Sequence, residues 1–222
     1  MLKAVFADLK VFCRYPFLAV MTLCFGVYKM LTVSDPFSRR VGSAYGLTPQ
    51  AALEIATPFH VMACVYDYLG ESVRHLPFVD LGCGYGTLLW YVAMRNVPVV
   101  VGIEKNPAVA EVARRWVNLR FFGKAVFPSC ARVHIMQSDA CEMPLYQGVY
   151  WLGWTGFSDA ERQTMTLALR QLPMGAMVAT TTHPINGDFV VLMHRFRTSF
   201  FWGVGTVYLY EVTGLTPFSL HG

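Results

Sequence analysis

Residues 78–107 read FVDLGCGYGTLLWYVAMRNVPVVVGIEKNP, a strand, a glycine turn, a helix and a second strand that ends in an acid. The apolar run Pro77 to Leu81 stops at Gly82, Gly84 and Gly86, and an amphipathic run begins at once near Thr87. Glycine has no Cβ, so such a turn tolerates positive φ and lets a ligand lie on bare backbone, while the helix that follows points unpaired N–H groups at the same place. Val97 to Ile103 is a β-branched run suited to a buried parallel strand, and it ends at Glu104. A carboxylate there is placed to accept hydrogen bonds from both hydroxyls of a ribose.

Asp80-Leu-Gly82-Cys-Gly84-Tyr-Gly86 resembles the first motif of class I S-adenosylmethionine-dependent methyltransferases, and Gly102-Ile-Glu104-Lys-Asn-Pro107 resembles their second-strand acid. The competitor is a dinucleotide-binding turn of G-x-G-x-x-G type. Counting from Gly82 puts Thr87 where that turn needs its third glycine, and Asp80 has no role in it. The resemblance implies an α/β fold, Rossmann-like, whose mostly parallel seven-stranded sheet has an antiparallel last strand and is preceded by a hydrophobic N-terminal helix. It also implies an enzyme with S-adenosylmethionine as cofactor, bound by Asp80, Gly82, Cys83, Gly84, Gly86, Glu104, Lys105, Asp139 and Ala140. In that family the first-strand acid holds the cationic methionine end, usually through water. The acid after the third strand accepts from the adenine amine, and Asp139 matches that position; a solvated loop aspartate is the plain alternative.

At 222 residues the chain has room for one α/β domain, assigned to residues 46–222, after an N-terminal segment and linker in residues 1–45. It is 55% hydrophobic and 14% charged, with a mean hydropathy of +0.40. Typical domains carry about 25% charged residues, so part of this chain is expected to meet lipid. The net charge of +4 is mild and no basic run appears, so nothing argues for nucleic-acid binding. Cys13, Cys24, Cys64, Cys83, Cys130 and Cys141 form no C-x-x-C pair and no histidine spacing. They read as reduced, mostly buried thiols, with no metal site and no disulfide framework.

Tyr15 to Val33, YPFLAVMTLCFGVYKMLTV, is the candidate membrane segment. The fourteen uncharged residues from Tyr15 to Tyr28 suit a core or interfacial helix, whereas the nineteen to Val33, with Lys29 snorkelling, nearly span a bilayer. Two readings stand, an anchor in a bacterial inner or mitochondrial membrane, or a helix packed on a cytoplasmic domain. Ser34 to Tyr45, with Pro36 and Gly42, reads as a linker. Thr48-Pro49 and Thr57-Pro58 each suit a helix start, and Phe59, Met62, Ala63, Tyr66 and Leu69 follow the second at helical spacing.

A hydrophobic N-terminus, a Thr-Pro loop and helix, and then the glycine motif resemble the methyltransferases that modify lysines on the ATP synthase c subunit and the adenine nucleotide translocase. Thr57, 23 residues ahead of Asp80, suits that layout as a substrate-side residue, and simple helix capping explains it equally well.

Ala108 to Phe121 reads as a crossover helix, and Arg132 to Gln137 as a strand that runs into Ser138-Asp139. Gly148 to Thr155 has the place of the fourth strand, whose end faces the transferred methyl in this family. Gly153-Trp154-Thr155 stands where amino methyltransferases often carry Asn- or Asp-Pro-Pro-aromatic, which weighs against nucleic-acid base or glutamine acceptors. Trp154 has two readings, one wall of a lysine channel, where a cation over an indole face gains about 0.5–2 kcal/mol, or a core residue.

Ser158-Asp-Ala-Glu161 is a capping box opening a helix to about Leu172. Ala176 to Thr182 reads as a strand, after which His183 falls at the ligand edge as a pocket candidate. Phe196 to Trp202, beside Arg195 and Arg197, reads as an aromatic loop at a membrane interface or as a lid on the core. Thr206 to Val212 reads as the terminal strand, inserted antiparallel.

The expected activity is methyl transfer to a lysine of a membrane-associated protein. A small-molecule or lipid acceptor is one alternative, and a cofactor-binding scaffold without transfer is another.

Overall fold

A chain that alternates short β-branched runs with amphipathic helices must cross over between parallel strands. The computed structural model describes residues 2–16, 19–20, 57–117, 132–200 and 203–214. Its strands are β1 (Phe78–Leu81), β2 (Val99–Glu104), β3 (Arg132–Gln137), β4 (Val149–Leu152), β5 (Met177–Thr181), β6 (Val190–Phe200) and β7 (Gly203–Val212). They form one 7-stranded sheet in the order β3-β2-β1-β4-β5-β7-β6. The first five pair in parallel, and β7 lies antiparallel between β5 and β6. The described helices are α1 (Leu2–Arg14), α2 (Phe59–Leu69), α3 (Thr87–Ala93), α4 (Pro107–Val117) and α5 (Asp159–Leu169).

Period-two alternation divides the strand side chains between two cores. Phe78, Val149 and Trp151 pack with α1, α2 and α3 on one face. Val79, Leu81, Tyr150 and Leu152 pack with α5 on the other. Both faces of β1 are therefore covered and all four of its residues are buried, as a central parallel strand requires. The capping box forms as its sequence demands: the Glu161 N–H donates to Ser158 Oγ at 3.3 Å, and Glu161 Oε2 accepts from the Ser158 N–H at 2.7 Å.

Four expectations change. Phe196 to Phe200 is not a loop, because it is the far half of the long strand β6, paired with β7 from Phe196↔Val207 to Phe200↔Gly203. The fourth strand stops at Leu152, and Trp154–Gly156 turns as a short 3-10 helix. Cys13 and Cys64 are exposed, and of the described thiols only Cys83 is buried. The first helix is Leu2–Arg14, which lies ahead of the apolar stretch and is amphipathic.

Most of the candidate membrane segment, the linker and Thr48-Pro49 lie outside the described residues. Among the described residues, no helix is long and apolar enough to cross a membrane.

Helix α1 is held to α2 by a buried polar pair inside an apolar contact. Phe12 meets Phe59 edge-on at 5.8 Å and Val11 is buried. Asp8 Oδ1 accepts the His60 backbone N–H at 2.8 Å, one of the donors that a first helical turn leaves unsatisfied, and lies 2.8 Å from His60 Nδ1. A buried donor stripped of its acceptor costs about 1–3 kcal/mol. Asp8→Ala is therefore expected to lower the unfolding free energy by about that amount in urea titration, and an unchanged midpoint would show that α1 does not dock through this pair.

Candidate cofactor site

Every residue singled out on the strand ends lies at the carboxyl edge of the sheet. Between β1 and β4 the strand order reverses, and at that point an open α/β sheet leaves a crevice. The turn after β1 fills it. Gly82, Gly84 and Gly86 have φ of 88°, 54° and 74°, all in the region that side chains avoid. A Cβ on Gly82 or Gly84 would meet nothing within 4 Å, so conformation requires these glycines and the space above them is open.

Glu104 fixes the turn. Its Oε2 accepts the Gly84 N–H at 3.0 Å and its Oε1 accepts the Asn106 N–H at 2.8 Å. Beneath the turn, Cys83 packs on Gly102 of β2, where an added Cβ would lie 2.6 Å from the Cys83 Sγ and 2.7 Å from Leu89 Cδ1. The Cys83 side chain thus faces the core, and of this residue only the backbone belongs to the site. Its thiol is pushed well up by burial and by the Asp80 and Glu104 carboxylates, so it is not a reactive thiolate. Gly102 stood in the sequence motif without a role, and its role becomes visible only once Cys83 is placed over it.

Asp80 is 4% exposed, and burial together with the Glu104 carboxylate raises its pKa to about 8. Among the described residues no hydrogen-bond donor or cation reaches its carboxyl. The nearby lysine is engaged elsewhere, since Lys105 Nζ lies 2.9 Å from Asp139 Oδ2. Asp139 Oδ1 accepts the Cys141 N–H at 3.0 Å, and that bond with Lys105 holds the Asp139 carboxyl below its ordinary range. Ala140 opens the short 3-10 turn that follows. The crevice therefore has two buried acids and a glycine floor, a constellation suited to a ligand that brings cationic groups and hydroxyls.

The three substrate-side candidates come together at the ends of β4 and β5. A Cβ on Gly153 would lie 3.7 Å from the Thr57 Oγ1, and Trp154 Nε1 donates to the His183 carbonyl at 2.9 Å. Trp154 is buried in the second core, so it braces this edge and presents no open indole face. Thr182, which no sequence signal marked, has φ of 68° although it is β-branched. Its hydroxyl lies 2.9 Å from that of Thr155, which also lies 3.1 Å from the Thr181 hydroxyl.

Solved structures share this fold. An RNA methyltransferase from Salinibacter ruber, in complex with S-adenosyl-L-homocysteine, is 21% identical, with 75% of this chain and 99% of that one covered at a TM-score of 0.53. TrmN from Thermus thermophilus is 17% identical over 73% of this chain and 51% of its own, at 0.56. A SAM-dependent methyltransferase from Methanosarcina mazei is 12% identical over 69% and 98%, at 0.51. No protein-family model and no curated protein matches the chain. The fold is the Rossmann-like one of class I methyltransferases.

The raised Asp80 pKa has a signed consequence. Between about pH 4 and pH 8 the folded protein keeps a proton that the unfolded chain has released, so stability falls as pH rises through that window. Urea titrations of the ligand-free protein across that range are expected to show this fall, and Asp80→Asn should remove most of it. A wild-type protein equally stable at both ends would contradict the burial of an uncompensated acid.

Proposed function

We propose that this chain transfers a methyl group from S-adenosylmethionine to an acceptor held at the ends of β4 and β5. The observation that carries this reading is the buried Asp80, which no cation among the described residues reaches, one strand from Glu104 and over glycines at positive φ. A dinucleotide brings its anionic pyrophosphate to the glycine turn, where a buried acid would repel it, whereas the methionine end of S-adenosylmethionine brings an α-ammonium and a sulfonium. When bound, that group supplies an electrophilic methyl, so the protein need only orient and exclude water.

In this reading Asp80 takes up the cationic methionine end, Glu104 accepts from the ribose hydroxyls, and Asp139 accepts from the adenine amine beside Lys105. Thr57, Gly153 and His183 form the acceptor side. No strong base is needed for an amine, because burial disfavours the ammonium and leaves the neutral nucleophile.

The acceptor we propose is a lysine of a membrane-associated protein. Support comes from the apolar Tyr15 to Val33 stretch and from the motif resemblance, and from the absence of an Asn-Pro-Pro-aromatic sequence after β4. An RNA acceptor is the second reading, favoured by the description of the Salinibacter neighbour as an RNA methyltransferase.

Two measurements test this. Gly84→Val forces a branched side chain to φ of 54° in the space reserved for the donor, and calorimetry with S-adenosylhomocysteine is expected to show no binding. Unchanged affinity would place the donor elsewhere. With methyl-tritiated donor and membrane extracts, counts that survive lipid extraction and nuclease support the lysine reading. Organic-phase counts point to a lipid, nuclease-sensitive counts to RNA, and donor binding without transfer to a scaffold.

A further inference from the structure

A second cleft lies between α1, α2 and α3, and none of its lining residues belongs to the glycine turn or its acids. It has a volume of about 160 Å³ and is lined by Lys10, Val11, Arg14, Tyr15, Ala63, Asp67, Tyr91 and Arg95. A water molecule has about 30 Å³ in the liquid, so the space admits a tetrahedral anion with part of its substituent.

Its charge is one-sided. Lys10, Val11 and Arg14 of α1 line it with Tyr15, whose N–H donates to the Val11 carbonyl just past the helix end, and among the described residues neither Lys10 nor Arg14 has a carboxylate within ion-pair distance. Arg95 is the built part. It is 6% exposed, its guanidinium lies 5.4 Å from the Tyr66 ring centre and 5.9 Å from that of Tyr91, and its Nη1 donates to the Tyr91 hydroxyl at 3.2 Å. Among the described residues the exposed Asp67 is the one carboxylate near it, at 3.7 Å, and the Arg95 Nε has no hydrogen-bond partner. A buried guanidinium with an unused donor is costly, and it is a fork shaped for phosphate oxygens. Three cations face one carboxylate around a space walled by Val11, Ala63 and two tyrosines.

We infer that this cleft binds the phosphate of an anionic phospholipid headgroup. A phosphate ester matches the Arg95 fork and the two α1 cations. The lipid source follows from position in the sequence: the cleft is lined by the last residues of α1 and by Tyr15, and Tyr15 begins fourteen uncharged residues. Lys10 and Arg14 thus stand just ahead of an apolar run in the sequence, and each Lys or Arg close to a membrane surface adds about 1 kcal/mol of attraction to anionic lipid. The inference does not rest on the methyl-transfer reading.

The test is cosedimentation of the full chain with phosphatidylcholine vesicles, with and without phosphatidylglycerol. Reading the ratio of the two affinities separates headgroup recognition from apolar partition. Lys10→Gln with Arg14→Gln is expected to lower that ratio about thirtyfold, while Arg115→Gln with Arg170→Gln, the same charge lost on α4 and after α5, should leave it largely intact. Circular dichroism and S-adenosylhomocysteine binding should be unchanged in the first pair, which keeps a folding defect distinguishable. Equal loss in both pairs, or a wild-type ratio near one, overturns the inference. Stabilisation by inorganic phosphate without vesicle binding, or retention of RNA in place of vesicles, overturns the lipid assignment.

Discussion

The candidate site depends on a single carboxylate that ties three pieces of backbone together. Glu104 takes the Gly84 N–H from the turn after β1 and the Asn106 N–H from the start of α4, and the Asn106 side chain in turn accepts the Ala108 N–H at 2.9 Å. Three glycines in five residues make a turn that is free to take the required conformation and equally free to leave it. The Glu104 bonds convert that freedom into a fixed concavity, and at its far end a Cβ added to Gly86 would lie 3.6 Å from Ala113 and 3.7 Å from Ile135. A turn with the same glycines but no acid at the end of β2 would lack this clamp.

Charge is distributed so that the clamp region stays acidic. Lys105, the cation next to Glu104 in sequence, is directed to Asp139, and Arg95 is held among tyrosines on the helices. Asp80 is left with burial and a like-charged neighbour, and both raise its pKa. Such an acid destabilises the empty fold, and the covered faces of β1 and β4 must offset it. That cost has a physical counterpart only if a ligand arrives with positive charge, which is why the position of Asp80 discriminates between ligand classes better than the glycines do.

Much of this was legible in the residues because it depends on residue type at strand ends. The glycine turn, Glu104, the Arg132–Gln137 strand and the capping box at Ser158 all follow from local chemistry, and the antiparallel last strand followed from the motif's resemblance. What escaped depends on partners far away in sequence. Phe196 to Phe200 mixes aromatic and small polar residues without clean alternation, and it becomes a strand because β7 pairs along its length. Helix α1 has only modest apolarity and was overshadowed by the run behind it. Its docking is decided by a histidine fifty-two positions away. The service of Gly102 to Cys83 likewise crosses between strands.

At the ends of β4 and β5, Trp154 takes the core place that was one of its two readings, and it organises the backbone around it. The His183 carbonyl accepts from Trp154 Nε1 and also from Thr180 Oγ1 at 3.1 Å, so the peptide between His183 and Pro184 is held from two sides. Thr182, at positive φ, is flanked by two backbone bonds, its own N–H donating to the Thr206 carbonyl at 2.8 Å and the His183 N–H to the Thr181 carbonyl at 2.7 Å. Backbone strain of this kind persists where surrounding bonds over-determine it, and it concentrates at functional edges. The result is a set of neutral hydroxyls from Thr155, Thr181 and Thr182 braced beside Gly153. Hydroxyls do not stabilise an ammonium as a carboxylate would. In the amine-methylation reading proposed above, an amine lodged against them would lose solvent without gaining a counter-charge, which favours its neutral, nucleophilic form.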